Sequence, residues 1–126
     1  MKIPSELQYT KDHEWIKIQG EYAFVGITDY AQSMLGDVVY VDIERPDEFL
    51  ESGEVFGVVE AVKTVADLFM PVDGEIIEVN SALSESPELV NSDPYGQGWI
   101  IRVKISDDIS TDHLIDSAAY SELVAT

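Results

Sequence analysis

Four times along the chain, a glycine and an acid precede a run of β-branched or aromatic residues. Gly20-Glu21 leads into residues 22–25, Gly36-Asp37 into 38–41, Gly53-Glu54 into 55–58 and Gly74-Glu75 into 76–79. Glycine permits a turn with unrestricted φ, and the residues after it are strand formers. The four starts lie 16, 17 and 21 residues apart, which predicts short strands at regular intervals in a sandwich or barrel. The copies diverge too far to be stacked solenoid repeats. One further apolar run, WIIRVKI at residues 99–105, predicts a late strand after the turn-rich NSDPYGQG.

Helices are predicted to be minor. Thr28 can cap a short helix over Asp29–Leu35, and Gly36 stands where glycine commonly ends one. Ser86-Pro87-Glu88 reads as a helix start with proline in the first turn, followed by about one turn. The tail DHLIDSAAYSELVA predicts a C-terminal helix packed on the sheet through Leu114, Ala118 and Leu123. No linker or low-complexity stretch divides residues 1–126, so a single mainly β domain is expected.

Composition narrows the function classes. A chain of 126 residues can bury roughly two thirds of its unfolded surface. It has no cysteine, which excludes disulfides, a thiolate nucleophile and cysteine-ligated metal. The longest apolar runs fall far short of the ~20 residues that span a bilayer. The start of the chain shows neither the apolar core of a secretory signal nor an arginine-rich amphipathic pattern, so a cytoplasmic location is expected. With 25 acidic and 7 basic residues the net charge is −18. Nucleic acid and anionic membranes are bound through lysine and arginine, so neither is expected as a partner. Proteins with basic surfaces would be attracted, although adaptation for solubility or salt would produce the same charge.

Lys63 has no basic neighbour in sequence between Arg45 and Arg102. It could be a solvated surface residue, an active-site amine or a chemical handle. Val58, Val62, Val65 and Phe69 fit one face of a helix, which would place Lys63 on the polar face. The numerous valines and the flanking glycine-acid starts fit two strands joined near the lysine. That hairpin lacks the Asn-Gly or Asp-Gly of a tight turn. The residues leave both readings open.

Several segments together carry a resemblance. VEAVKTVADLFMPVDGEIIEVN (residues 59–80) resembles the lipoyl-attachment region of the glycine cleavage system H protein family. His13-Glu14-Trp15, GITDYAQSMLGDVVYVD (residues 26–42), PELVNSDPYGQGWIIRVK (residues 87–104) and the Leu-Ile-Asp-Ser-Ala-Ala-Tyr tail are similar to that family as well. Departures are small. Thr64 stands where alanine is common, and Arg45-Pro46-Asp47-Glu48 falls in a variable loop. The resemblance implies a barrel-sandwich hybrid of two packed antiparallel sheets, with short helices, a C-terminal helix and Lys63 on a tight turn. The hairpin is therefore expected in place of the helix.

The resemblance also implies a non-catalytic carrier with no catalytic residues, bearing lipoate covalently on Lys63. The arm would take an aminomethyl group from glycine decarboxylase, a pyridoxal phosphate enzyme, to a tetrahydrofolate-dependent aminomethyltransferase. Dihydrolipoamide dehydrogenase would then reoxidise it, and a lipoyl ligase or lipoyltransferase would attach it. By motif position, Glu14 and Asp67 would hold the protonated amine of the loaded arm, and Glu60 would be presented to the attaching enzyme.

The rivals are fewer. A lipoyl-relay protein, donating lipoate to other enzymes, would use the same lysine. Biotin carriers are similar in fold but typically place methionine on both sides of the lysine, where this chain has Val62 and Thr64. A Schiff-base enzyme would need Lys63 desolvated in a pocket, which a hairpin tip does not provide. His13 and His113 lack metal-ligand spacing, so no metal is expected. Gly96 and Gly98 lack the strand-before, helix-after setting of a dinucleotide loop.

Overall fold

A computed structural model describes residues 1–106 and 108–125. The chain opens with β1 (Gln8–Tyr9), β2 (Glu14–Gln19) and β3 (Tyr22–Ile27), followed by α1 (Asp29–Leu35) and β4 (Val38–Ile43). A short β5 (Phe49–Leu50) precedes β6 (Val55–Ala61), β7 (Val65–Phe69) and β8 (Gly74–Val79). Two single-turn helices, α2 (Ala82–Glu85) and α3 (Leu89–Ser92), lead to β9 (Ile101–Lys104) and α4 (Ser117–Val124).

The strands form two antiparallel sheets, as a barrel-sandwich hybrid requires. The larger has six strands in the order β1-β2-β3-β9-β8-β5, and the smaller has three in the order β4-β6-β7. Side chains alternate between the faces of a strand, so each sheet turns one apolar set inward. Phe56, Val59 and Leu68 of the small sheet share a buried cluster with Ile16, Val25, Ile76 and Ile101 of the large one.

Each glycine-acid pair opens a strand, but the glycines act differently. Gly20, Gly36 and Gly53 turn the chain at positive φ, whereas Gly74 lies within β8. The late strand is confined to Ile101–Lys104, shorter at both ends than the apolar run predicted.

The C-terminal helix is also shorter than expected and presents a different face. Residues 112–116 stay outside it: Tyr9 and Ile115 exchange backbone hydrogen bonds of 2.8 and 2.9 Å as an isolated bridge. Asp116 then caps α4 by accepting the Ala119 N–H at 2.8 Å. The start of the helix is thereby fixed late, and Tyr120 is the residue that turns inward. Its ring stacks on Tyr9 with centroids 4.7 Å apart. Ala118 and Leu123, predicted to pack, are exposed.

One close approach yields a stability prediction. Gly57 sits in β6 opposite Ile43, and a Cβ there would overlap the Asp42 carbonyl oxygen and lie 3.1 Å from Ile43 Cα. Those are backbone atoms of a paired strand, so they cannot swing aside. Gly57→Ala should cost about 1–3 kcal/mol of folding free energy, the usual range for overpacking a filled site. Urea unfolding checks this, and a midpoint equal to wild type would refute the close strand approach.

Candidate functional site

The segment around Lys63 folds as a β-hairpin. Ala61 donates its N–H to the Thr64 carbonyl at 2.8 Å, leaving Val62 and Lys63 as the tip. Neither tip residue has positive φ, so this is not one of the glycine-dependent primed turns. Support comes from outside the hairpin instead: the Val62 N–H is bonded at 3.0 Å to the carbonyl of Asp37, just before β4. Turn chemistry was silent in the sequence because a tertiary hydrogen bond holds the tip.

Val62 is 76% exposed, and Lys63 and Thr64 are exposed beside it. The Lys63 stem lies over Gly36, with Cε and Nζ 3.3 and 3.9 Å from where a Cβ would stand. Gly36 therefore has two roles. Its N–H closes α1 on Gln32 at 3.0 Å with φ of 82°, and its bare surface leaves room for the lysine. Asn91 braces this platform, donating from Nδ2 to the Gly36 carbonyl and accepting the Val38 N–H, both at 2.8 Å. No local pattern marked Asn91, whose partners lie more than fifty residues away in sequence.

Next to the hairpin lies a cleft of about 290 Å³. Its walls come from the loop before β2, from α1 and from the small sheet. Glu14 and Asp67 both line it, together with Asp12, His13 and Tyr30, and with apolar Ile27, Met34, Leu35 and Val59. The structure thus brings together two of the four sequence-predicted site residues. Lys63 stands four residues from Asp67 at the end of the same hairpin, about 13 Å along an extended strand. Glu60 lies elsewhere: it is opposite Tyr40 and Val65 in the small sheet and is not among the residues lining the cleft.

Glu14 is the unusual group. It opens β2, is only 2% exposed and reaches across to the edge strand of the other sheet. One carboxyl oxygen, Oε2, accepts the Phe69 N–H at 2.7 Å, while buried Oε1 has no partner among the described residues. Burial pushes its pKa up to about 8; the Phe69 hydrogen bond opposes that shift and nearby Asp12 adds to it. Motif position made Glu14 a candidate, but nothing in the sequence signalled that this carboxylate is buried.

The loop carrying Asp12 and His13 is held by a polar network. His13 takes a positive φ of 66°, and its Nδ1 lies 2.9 Å from the Tyr120 hydroxyl. That hydroxyl also meets Thr28 Oγ1 at 2.7 Å, and Thr28 caps α1 by accepting the Ala31 N–H. The C-terminal helix thereby anchors two walls of the cleft at once. His13 thus packs and hydrogen-bonds against Tyr120 and also lines the cleft.

Two packed sheets presenting an exposed lysine at a hairpin tip are the architecture of the lipoyl- and biotinyl-carrier class. Comparison with known proteins narrows the class. The family model described as glycine cleavage H-protein matches residues 7–126. A glycine cleavage system H protein of Chlorobium limicola is 57% identical over 126 residues, covering 98% of each chain. One from Bacteroides thetaiotaomicron is 55% identical over 124 residues, again covering 98% of each. The crystal structure of a glycine cleavage system H protein from Mycobacterium marinum superposes with a TM-score of 0.83 at 38% identity, covering 95% of this chain and 97% of that one. The chain belongs to the glycine cleavage H-protein family, a family of lipoyl carriers.

Proposed function

We propose that residues 1–126 act as one lipoyl-carrier domain of a glycine cleavage system, with lipoate joined by an amide to Lys63. The observation that carries this reading is the placement of one exposed lysine at a hairpin tip, beside a cleft that holds an unpaired, buried carboxyl oxygen. When attached, lipoate supplies a disulfide–dithiol pair able to carry an aminomethyl group from glycine decarboxylase to the aminomethyltransferase and to be reoxidised by dihydrolipoamide dehydrogenase.

The residues of this chain fit such a group. A ligase or lipoyltransferase must enclose the ε-amine, and the projecting tip with Val62 and Val65 exposed allows it. Acylation turns the ammonium into a neutral amide, so Lys63 loses its charge in use. Glu60 stands on the small sheet close to that tip, between Tyr40 and Val65, where an attaching enzyme would meet it. Glu14 and Asp67 offer carboxyl oxygens to a cationic group entering the cleft, while Ile27, Met34 and Leu35 exclude water around it. The chain itself turns over nothing; tethering holds cargo at high effective concentration near each docked enzyme. A cytoplasmic location belongs to this reading. Among the described residues, no helix is long and apolar enough to cross a membrane.

Reconstitution tests the proposal. The lipoylated chain, mixed with the three enzymes, glycine, tetrahydrofolate and an oxidised nicotinamide cofactor, should support glycine breakdown, and the unmodified chain should not. Equal rates with both would refute the carrier role.

A salt dependence follows from the net charge of −18. Association with enzymes of basic surface should slow steeply as the Debye length falls from ~10 Å at 0.1 M to ~3 Å at 1 M salt. Stopped-flow association rates that stay flat over this range would assign the acidic surface to solubility.

A further inference from the structure

The hairpin tip rests on a single peptide group outside the hairpin. Val62, next to the lysine, donates its N–H to the Asp37 carbonyl at 3.0 Å. Local structure holds Asp37 only weakly. It follows Gly36, which turns the chain at φ of 82°, and it precedes a strand whose ladder slips between Val38 and Tyr40. Glycine and an irregular register both loosen a backbone, and Asp37 itself is exposed.

Asn91 supplies the missing constraint. Its Oδ1 accepts the Val38 N–H and its Nδ2 donates to the Gly36 carbonyl, each at 2.8 Å, so one side chain grips the chain on both sides of Asp37. Nδ2 also donates to Gln32 Oε1 of α1 at 3.0 Å. The Val38 N–H and the Asp37 carbonyl belong to one planar peptide unit. Fixing its N–H edge on Asn91 therefore aims its carbonyl edge at Val62. The result is a continuous chain of hydrogen bonds from Asn91 through that peptide to the tip, and such chains strengthen one another. Asn91 is itself anchored, because α3 sets it beside Val90, which is fully buried in the core. A carboxamide offers the two donors and the acceptor that this grip uses, whereas an aspartate of the same shape has no donor.

We propose that Asn91 is a positioning residue for attachment at Lys63. Through the Asp37–Val38 peptide it holds the tip in the pose that the attaching enzyme encloses. The inference deepens the carrier reading and rests on it for the reaction at Lys63. A tip already in its bound pose costs the enzyme no ordering when it docks. Loss of one net hydrogen bond shifts a local equilibrium by about three- to tenfold. The fraction of chains with a competent tip falls accordingly, and apparent affinity falls with that fraction.

Two measurements on the same variants test this. In the unmodified chain, NMR should detect a scalar coupling across the hydrogen bond from Val62 N–H to the Asp37 carbonyl. Asn91→Asp, which keeps the shape but loses both donations, should weaken or abolish it. So should Asn91→Ala, which brings no new charge and serves if the aspartate variant does not fold. The coupling across the Ala61–Thr64 bond should persist in both, because that bond lies within the hairpin. Gln32→Ala removes only the side-chain contact to α1 and should keep both couplings.

The second measurement is attachment by a lipoyl ligase supplied with lipoate and ATP. KM for the Asn91 variants should rise by about three- to tenfold with kcat unchanged, since the enclosed amine is the same. Gln32→Ala should match wild type. A Val62–Asp37 coupling that survives in both Asn91 variants overturns the proposal. So does an unchanged KM once the coupling is lost, or an equal rise in KM in Gln32→Ala, which would assign the effect to packing of α1 on α3. If wild type accepts no lipoate on Lys63, the carrier reading fails instead, and the couplings still decide whether Asn91 holds the tip.

Discussion

Lys63→Arg is expected to give a folded chain that supports no glycine cleavage. Arginine keeps the positive charge and a long stem, so the surface over Gly36 stays covered. Its guanidinium is always protonated and offers no free amine to acylate. Lys63 is exposed and makes no ion pair among the described residues, so the stability change should stay within ~0.5 kcal/mol. Activity in the reconstituted system should fall to the level seen without any carrier. The thermal melt should superpose on wild type, which separates lost attachment from lost folding. Residual turnover well above that background would mean that the essential attachment point lies elsewhere.

The second large effect is on stability. The folded chain holds the Glu14 proton more tightly than the unfolded chain, with a folded pKa of about 8 against an ordinary 4.5. The stability tied to this group is therefore fully present below about pH 4.5 and is lost as pH rises through about 8. At about 1.4 kcal/mol per pKa unit, the swing is on the order of 3–5 kcal/mol. Repulsion among the surface carboxylates also grows with pH, so wild type alone does not isolate the effect. Glu14→Gln does: glutamine matches the neutral acid in shape, and its side-chain oxygen can still accept the Phe69 N–H. Urea unfolding from pH 5 to 8.5 should show Glu14→Gln gaining on wild type throughout. Asp29 shifts the other way, its carboxyl held low mainly by the Lys2 N–H, but it is common to both proteins. Parallel pH profiles would show that Glu14 is not an isolated buried acid.

The elements most legible in the sequence were those fixed by local chemistry. Glycine with an acid marked the strand starts, and Thr28 with Gly36 bounded α1, because caps and turns are satisfied by neighbouring residues. Features set by distant partners were hidden. The pairing of β3 with β9 joins residues such as Val25 and Ile101, and no periodicity records it. The hairpin tip rests on Asp37, so its own residues carry no turn signature. The inward face of α4 was misread because Ile115 pairs with Tyr9 before the helix begins.

The site divides in the same way. Lys63 and the surrounding motif stood out through resemblance across the chain, and the structure places the lysine at an exposed tip. Glu14 and Asp67 were candidates by motif position, but their convergence on one cleft is a tertiary fact. That Glu14 is buried with an orphaned oxygen could not be read from a chain with 25 acidic residues. Asn91 and Tyr120, which brace the platform and the cleft loop, gave no chemical signal at all.

The most direct test of the central claim is peptide-resolved mass spectrometry of the chain expressed with a lipoyl ligase and lipoate. The account predicts a single lipoyl increment, carried by the peptide containing Lys63, with Lys2, Lys11, Lys17 and Lys104 unmodified. A lipoyl group on any of those four lysines, or biotin in place of lipoate on Lys63, would contradict it.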